Sequence, residues 1–192
     1  MSDPIEVLDF WLGEVGPEGW YAGGAVLDAA IRDRFAEVWQ AAKDGGLEHW
    51  VSGPAGALAY LVICDQMARN MHRGQADSFA TDAQARAAAR LALEAGWDMD
   101  VPEPERQFFY MPFEHSEDAE DQALSVTLME QRLPSDPGMV LHARAHQDTI
   151  RRFGRFPGRN GALGRTDTPE EAAFQAAGGY GALVKALIGS HA

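Results

Sequence analysis

Apolar residues in this chain recur three and four positions apart and almost nowhere alternate, a period that points to α-helix nearly throughout. After Val26, the residues Leu27, Ile31, Phe35, Val38 and Trp39 fall on one side of a helix that runs to about Lys43 and stops at Gly45-Gly46. Asp3-Pro4 opens an earlier helix, with Ile5, Leu8, Trp11 and Leu12 as its stripe and Gly13 as its expected end. A third starts near Pro54 and carries Leu58, Leu61, Val62 and Cys64 towards Arg69, and an alanine-rich fourth spans about Asp82 to Leu93 before Gly96. Pro102, Pro104 and Pro112 break the middle of the chain. Beyond them Ser116 is the expected cap of a helix to about Gln131. Asp136-Pro137 opens the next, which ends near Phe153 and gives way to a Gly/Pro loop. Thr168-Pro169-Glu170-Glu171 is a capping box with proline in the first turn, and Gly178-Gly179 separates its helix from a last one, Tyr180 to Ile188. No linker interrupts the series. The expectation is an all-α chain of about eight helices in antiparallel pairs, residues 1–192 forming a single domain.

A hydrophobic content of 46% supports a packed core. The net charge of −13 repels phosphate backbones and anionic lipid, so neither nucleic acid nor membrane is an expected partner. Cys64 is the sole cysteine, which excludes an internal disulfide, and its place in the apolar run from Ala57 reads as a buried thiol. The start, MSDPIEVLDFW, has no basic segment of the secretory kind. The longest apolar run, Ala55 to Cys64, falls short of the ~20 residues that span a bilayer. A cytoplasmic location is the expectation. Trp11, Trp20, Trp39, Trp50 and Trp97 are expected in the core.

Three stretches put polar groups at the ends of apolar helices. In DQMARN, Asp65 and Arg69 share a helix face, as do Gln66 and Asn70. A carboxylate that follows such apolar turns is buried and needs a partner, so Asp65 either locks helices together or orients a ligand. In YMPFEHSEDAEDQ, the helix dipole accounts for Glu117 and Asp118 but not for Glu114 and His115, which precede the helix. An imidazole between two carboxylates is suited to acid or base work. The third stretch, HARAHQDTIRRFGRFPGRN, sets His142 and His146 four apart. Ala143 follows His142, so the glutamate of a metalloprotease HExxH is missing, and no metal is expected. Arg155, Arg159 and Asn160 stand among glycines that let a backbone approach an anion. Alternatively these arginines are pinned to the chain's own acids between Glu114 and Asp121.

Brought into one cavity, these groups would make a site. Glu114, His115 and Asp65 would be its catalytic candidates, and Gln66, Arg69, Asn70, Glu117, His146, Arg155, Arg159 and Asn160 its ligand-binding ones, with no cofactor. Its ligand would be a small anionic molecule. The contrasting expectation is a helical scaffold that takes an acidic peptide or protein on the arginine loop.

The series DFWLGE, Trp20-Tyr21, DQMARNMHRG, FFYMPFEHSE, FGRFPGRNGALGR and TPEEAAF resembles, in order and from Val7 to Phe174, the bacterial family known as domain of unknown function 924. That resemblance implies an all-helical fold related to tetratricopeptide-like superhelices, and no particular reaction. It matches the family's polar positions to Asp65, Gln66, Arg69, Asn70, Glu114, His115, Ser116, Glu117, His146, Arg155, Arg159 and Asn160. One departure is Gly158, where the family often has histidine, which puts more weight on His115 and His146.

Overall fold

The computed structural model describes residues 3–190, and among them every regular element is helical. The chain gathers into two compact units, the first ending at Pro112 and the second beginning at Phe113.

In the first unit, α1 (Pro4–Leu8) starts as its sequence requires: Pro4 lies in the first turn and Asp3 accepts the Glu6 N–H at 2.9 Å. The helical path does not end at Gly13. A glycine stops a helix when it turns left-handed, and here that conformation falls at Gly16 (φ 64°) instead. Between them the backbone widens over Asp9–Val15, where the Gly16 N–H reaches back five residues to Trp11 O, and α2 (Gly16–Trp20) follows. The next helix, α3 (Ala25–Lys43), buries Ile31, Phe35, Val38, Trp39 and Ala42, the stripe its periodicity calls for.

The third expected helix is one continuous path with a wide turn inside it. It comprises α4 (Pro54–Leu61), a π-turn over Val62–Met67 in which the Ala68 N–H bonds Ile63 O, and α5 (Ala68–Met71). Residues from Ala57 to Ala68 are buried, which is why this stretch shows no polar face in the sequence. Its close packing starts at Gly56, where a Cβ would stand 2.1 Å from Trp50 O. A further helix, α6 (Asp82–Ala95), ends at left-handed Gly96. The proline-broken stretch forms 3-10 turns at Trp97–Asp100 and Glu105–Phe109, and from these Phe108 enters the core against Trp11 and Trp20. Trp11, Trp20, Trp39 and Trp50 are buried, and Trp97 is half-buried. A one-turn helix, α7 (Met111–Glu114), ends the stretch.

In the second unit, α8 (Ala119–Arg132) and α9 (Pro137–Phe153) pack together across the short connection 133–136 as an antiparallel hairpin. Buried Ser125, Ala143 and Ala145 keep the two helices close. Ser116 is not the cap of α8. Asp118 is: its Oδ1 accepts the N–H groups of Glu120 and Asp121, while Ser116 Oγ accepts the Asp118 N–H one step earlier. The helix starts later because Asp118 is the residue with extended backbone, and its carboxylate is the stronger acceptor next to a helix dipole. Asp136 caps α9, which ends at left-handed Gly154. The capping box at Thr168 has both of its hydrogen bonds and opens α10 (Pro169–Ala176). Gly178 and Gly179, both at positive φ, lead into α11 (Gly179–Ser190). Among the described residues no helix is long and apolar enough to cross a membrane.

Candidate functional site

The sequence candidates fall into two constellations, one in each unit. In the first, the π-turn presents Asp65 and Gln66 side by side, both buried. Gln66 Nε2 donates to Asp65 Oδ2 at 2.5 Å and lies 3.6 Å from Met111 Sδ. Arg69 reaches Asp65 Oδ1 and Asp82 Oδ1, each at 3.1 Å, and also donates to Asp65 O. A single guanidinium thus ties the π-turn to the first turn of α6. Asn70 faces elsewhere, donating to Asp28 Oδ1 at 2.8 Å beside the two-pronged Arg73–Asp28 pair. The Arg73 bonds hold the Asp28 carboxyl below its ordinary value.

Cys64 lies at the back of the same turn, and burial pushes its thiol far up, away from nucleophilic use.

The second constellation centres on an ion pair. Glu114, 2% exposed, sets Oε1 against His146 Nδ1 at 2.8 Å, and its Oε2 is buried with no hydrogen-bond partner. The same His146 Nδ1 lies 2.9 Å from His142 O, the normal reach of one helical turn. The His146 ring is held among aromatic neighbours, 4.5 Å from Tyr180, 5.4 Å from Phe156 and 5.9 Å from His115, centre to centre. His142 Nδ1 meets the Tyr180 hydroxyl at 2.6 Å. Behind Glu114, Gln122 Nε2 gathers the carbonyls of Glu114 and Ser116, both at 2.6 Å, and so fixes the strand of backbone that carries the carboxylate and His115. Burial alone would raise the Glu114 carboxyl. A protonated His146, its hydrogen bond, and the His115 and His142 rings outweigh that and hold it below the ordinary value.

The arginine loop is largely occupied by the unit's own acids. Arg155 grips Glu171 with Nε and Nη2 at 2.6 and 2.7 Å and donates also to Thr166 O. Its partner thus comes from the capping box, not from the 114–121 stretch. Glu171 is driven down to about 2 by this bond, with the Thr168 N–H and Asn160 adding to it. Glu117 does pair with the loop, but through Arg165, at 2.8 and 2.9 Å, and it also accepts the Phe156 N–H. Burial would push Glu117 up, and the Arg165 bond overrides it. Asn160 is buried and donates to Asp167 at 2.6 Å. Arg159 alone of the loop reaches the imidazole cluster: it donates to His115 O at 2.8 Å and lies 4.5 Å over the Phe156 ring. Phe156 is buried, as an anchor of the loop should be, while Phe153 is half-buried.

Sequence reasoning missed Tyr180, Gln122, Arg165 and Glu171. Glu171 was visible as half of a capping box, and its second use by Arg155 had no local signal. Tyr180 sits 34 residues beyond His146, and only the return of α11 onto α9 brings the rings together.

A helical fold with an imidazole–carboxylate cluster defines a class: an all-α protein with polar groups buried at helix ends. The chain belongs to DUF924, a family of bacterial proteins of unknown function, whose model matches residues 7–179. It is similar to a solved structure, that of the protein of unknown function ATU0120 from Agrobacterium tumefaciens. The two are 39% identical over 90% of this chain and 96% of that one, with a TM-score of 0.84. No curated protein matches the chain.

Proposed function

We propose that the second unit binds a small molecule and moves a proton to or from it, with His146 as the base and Glu114 as the group that orients it. One observation carries this reading: His146 Nδ1 faces two acceptors, Glu114 Oε1 and His142 O. Nδ1 therefore bears the hydrogen, and Nε2 is the nitrogen with a lone pair for a ligand's proton. A carboxylate behind an imidazole fixes ring and tautomer and stabilises the cation that proton uptake creates. General-base help of this kind is worth about 10²–10⁴-fold in rate. His115 is a second titratable ring beside the first. Arg159, fixed over Phe156, brings a positive charge within one side chain of His146 and suits a ligand that is anionic or becomes so. Asp65, Gln66, Arg69 and Asn70 brace the first unit in this reading.

The α8–α9 hairpin supports a tetratricopeptide-like stacking, and such stacks commonly take peptides. The scaffold reading ranks second because the guanidinium groups that would grip an acidic partner are engaged, Arg155 by Glu171 and Arg165 by Glu117.

A thermal-shift screen of metabolites on the wild type, His146→Gln and Arg155→Ala tests the proposal, since a ligand of the folded state raises the melting temperature. The expected result is a dose-dependent rise that persists in Arg155→Ala and vanishes in His146→Gln. No active compound, or a rise that survives His146→Gln, would sink it.

A further inference from the structure

The helices α9, α10 and α11 leave a cavity of about 480 Å³, lined among others by Arg152, Glu170, Phe174, Ala177, Gly179 and Leu183. That volume lies within the range of small-ligand sites, roughly 300–1,000 Å³. Its floor is apolar: Phe174 and Leu183 are half-buried there, and alanines and Gly179 leave room above them. The charge on its wall is unusually placed. The Arg152 guanidinium stands over two rings, 5.0 Å from the Phe153 centre and 5.2 Å from that of Phe174, and those rings pack on each other at 5.0 Å. Its face is thus spent on aromatic contact and its orientation is fixed. The N–H edge has no carboxylate or carbonyl acceptor among the described residues, in contrast to Arg155 three positions on. A cation in the last turn of a helix complements the dipole, which accounts for a positive residue at this position but not for its stacking on a cavity wall.

We propose that this cavity is a second binding site, distinct from the Glu114–His146 cluster, for a monocarboxylate with an apolar tail. The carboxylate meets the fork of Arg152, for which planar two-pronged recognition is the natural geometry. The tail lies on Phe174 and Leu183. Glu170, also on the wall, repels a carboxylate placed at its end and so sets the direction in which the ligand lies.

The test is a ¹H–¹⁵N NMR titration of the full chain with hexanoate, acetate and 1-hexanol, on the wild type and on Arg152→Gln. Arg152 is exposed, so the variant keeps its fold, which the same spectra verify. Hexanoate should give saturable shifts at the amides of Phe174, Ala177, Gly179 and Leu183. Acetate, lacking the tail, and hexanol, lacking the charge, should bind at least about tenfold more weakly, and Arg152→Gln should weaken hexanoate by about tenfold or more. No saturable shift at these amides, equal binding of hexanol, or unchanged affinity in Arg152→Gln would overturn the proposal. None of these outcomes bears on His146, whose test uses other ligands and another variant.

Discussion

Glu114 combines two features that rarely coexist in a structural residue. One oxygen is in a charged pair, and the other is buried without a partner. Such an arrangement is unfavourable to fold around, and a group kept under those terms has a use beyond packing. Glu114→Gln should therefore separate the two roles. The amide oxygen can still accept from His146 Nδ1, so the stability loss should be modest, about 1–3 kcal/mol in a urea titration. The negative charge that favours the Nδ1–H tautomer is gone, and long-range ¹H–¹⁵N spectra of His146 should show a larger share of the Nε2–H form. An unchanged tautomer ratio would remove Glu114 from the orienting role. Asp65 behaves differently: Asp65→Ala leaves Arg69 with Asp82 still at 3.1 Å, so the loss should be near the low end of that for a broken buried pair, about 3 kcal/mol. Gly158, the departure from the family pattern, has right-handed or extended backbone and ordinary room, its nearest neighbour to a Cβ being Gln175 Nε2 at 3.9 Å. Gly158→His should fold with a melting temperature within a few degrees of the wild type.

At the scale of helices, much of the fold is legible because its signals are local. Asp3-Pro4, Asp136-Pro137 and Thr168-Pro169-Glu170-Glu171 all start helices as written, since a cap and its N–H partners lie within four residues. Thr168→Ala should cost about 1 kcal/mol in chemical denaturation, one cap bond lost. What is not legible depends on where the chain returns. The partner of Arg155 is set by the approach of α10 to the loop, and the stacking of Tyr180 on His146 by the path through Gly178-Gly179. Asp65, Gln66, Glu114 and His146 were readable as polar residues in apolar company, but which of them share a constellation was not. The π-turns are equally hidden, because a stretch buried on every side has no polar face to lose register. Gly56 shows the tertiary override most sharply. Alanine is better than glycine within a helix by about 1 kcal/mol, yet Gly56→Ala should destabilise by about 1–3 kcal/mol because its Cβ would meet the Trp50 carbonyl. A stabilised variant would refute that packing.

At the scale of the whole chain, the sign of the charge matters less than where the carboxylates are used. Asp28, Glu114, Glu117 and Glu171 all have carboxyls held below their ordinary values by partners in the folded state. The unfolded chain binds those protons more readily, so their contribution is whole above the ordinary carboxyl range and is lost as pH falls through the folded values. For Glu171 the window runs from 4.5 down to about 2. Melting temperatures should be level above pH 5 and drop steadily below 4.5, and Glu171→Gln, less stable at neutral pH, should show a shallower drop. A profile already falling between pH 7 and 5 would point to the histidines instead. The Val62–Met67 turn carries a different kind of consequence. A π-turn holds one residue more than the α-helix around it, so the reading frame of the helix on either side depends on that extra residue. Deleting one position there would let ordinary hydrogen bonding close the gap, but it would swing everything after it through about 100° about the axis. Arg69 and Asn70 would then face away from Asp82 and Asp28. In a lineage of such chains, this helix can exchange side chains freely but cannot change length by one.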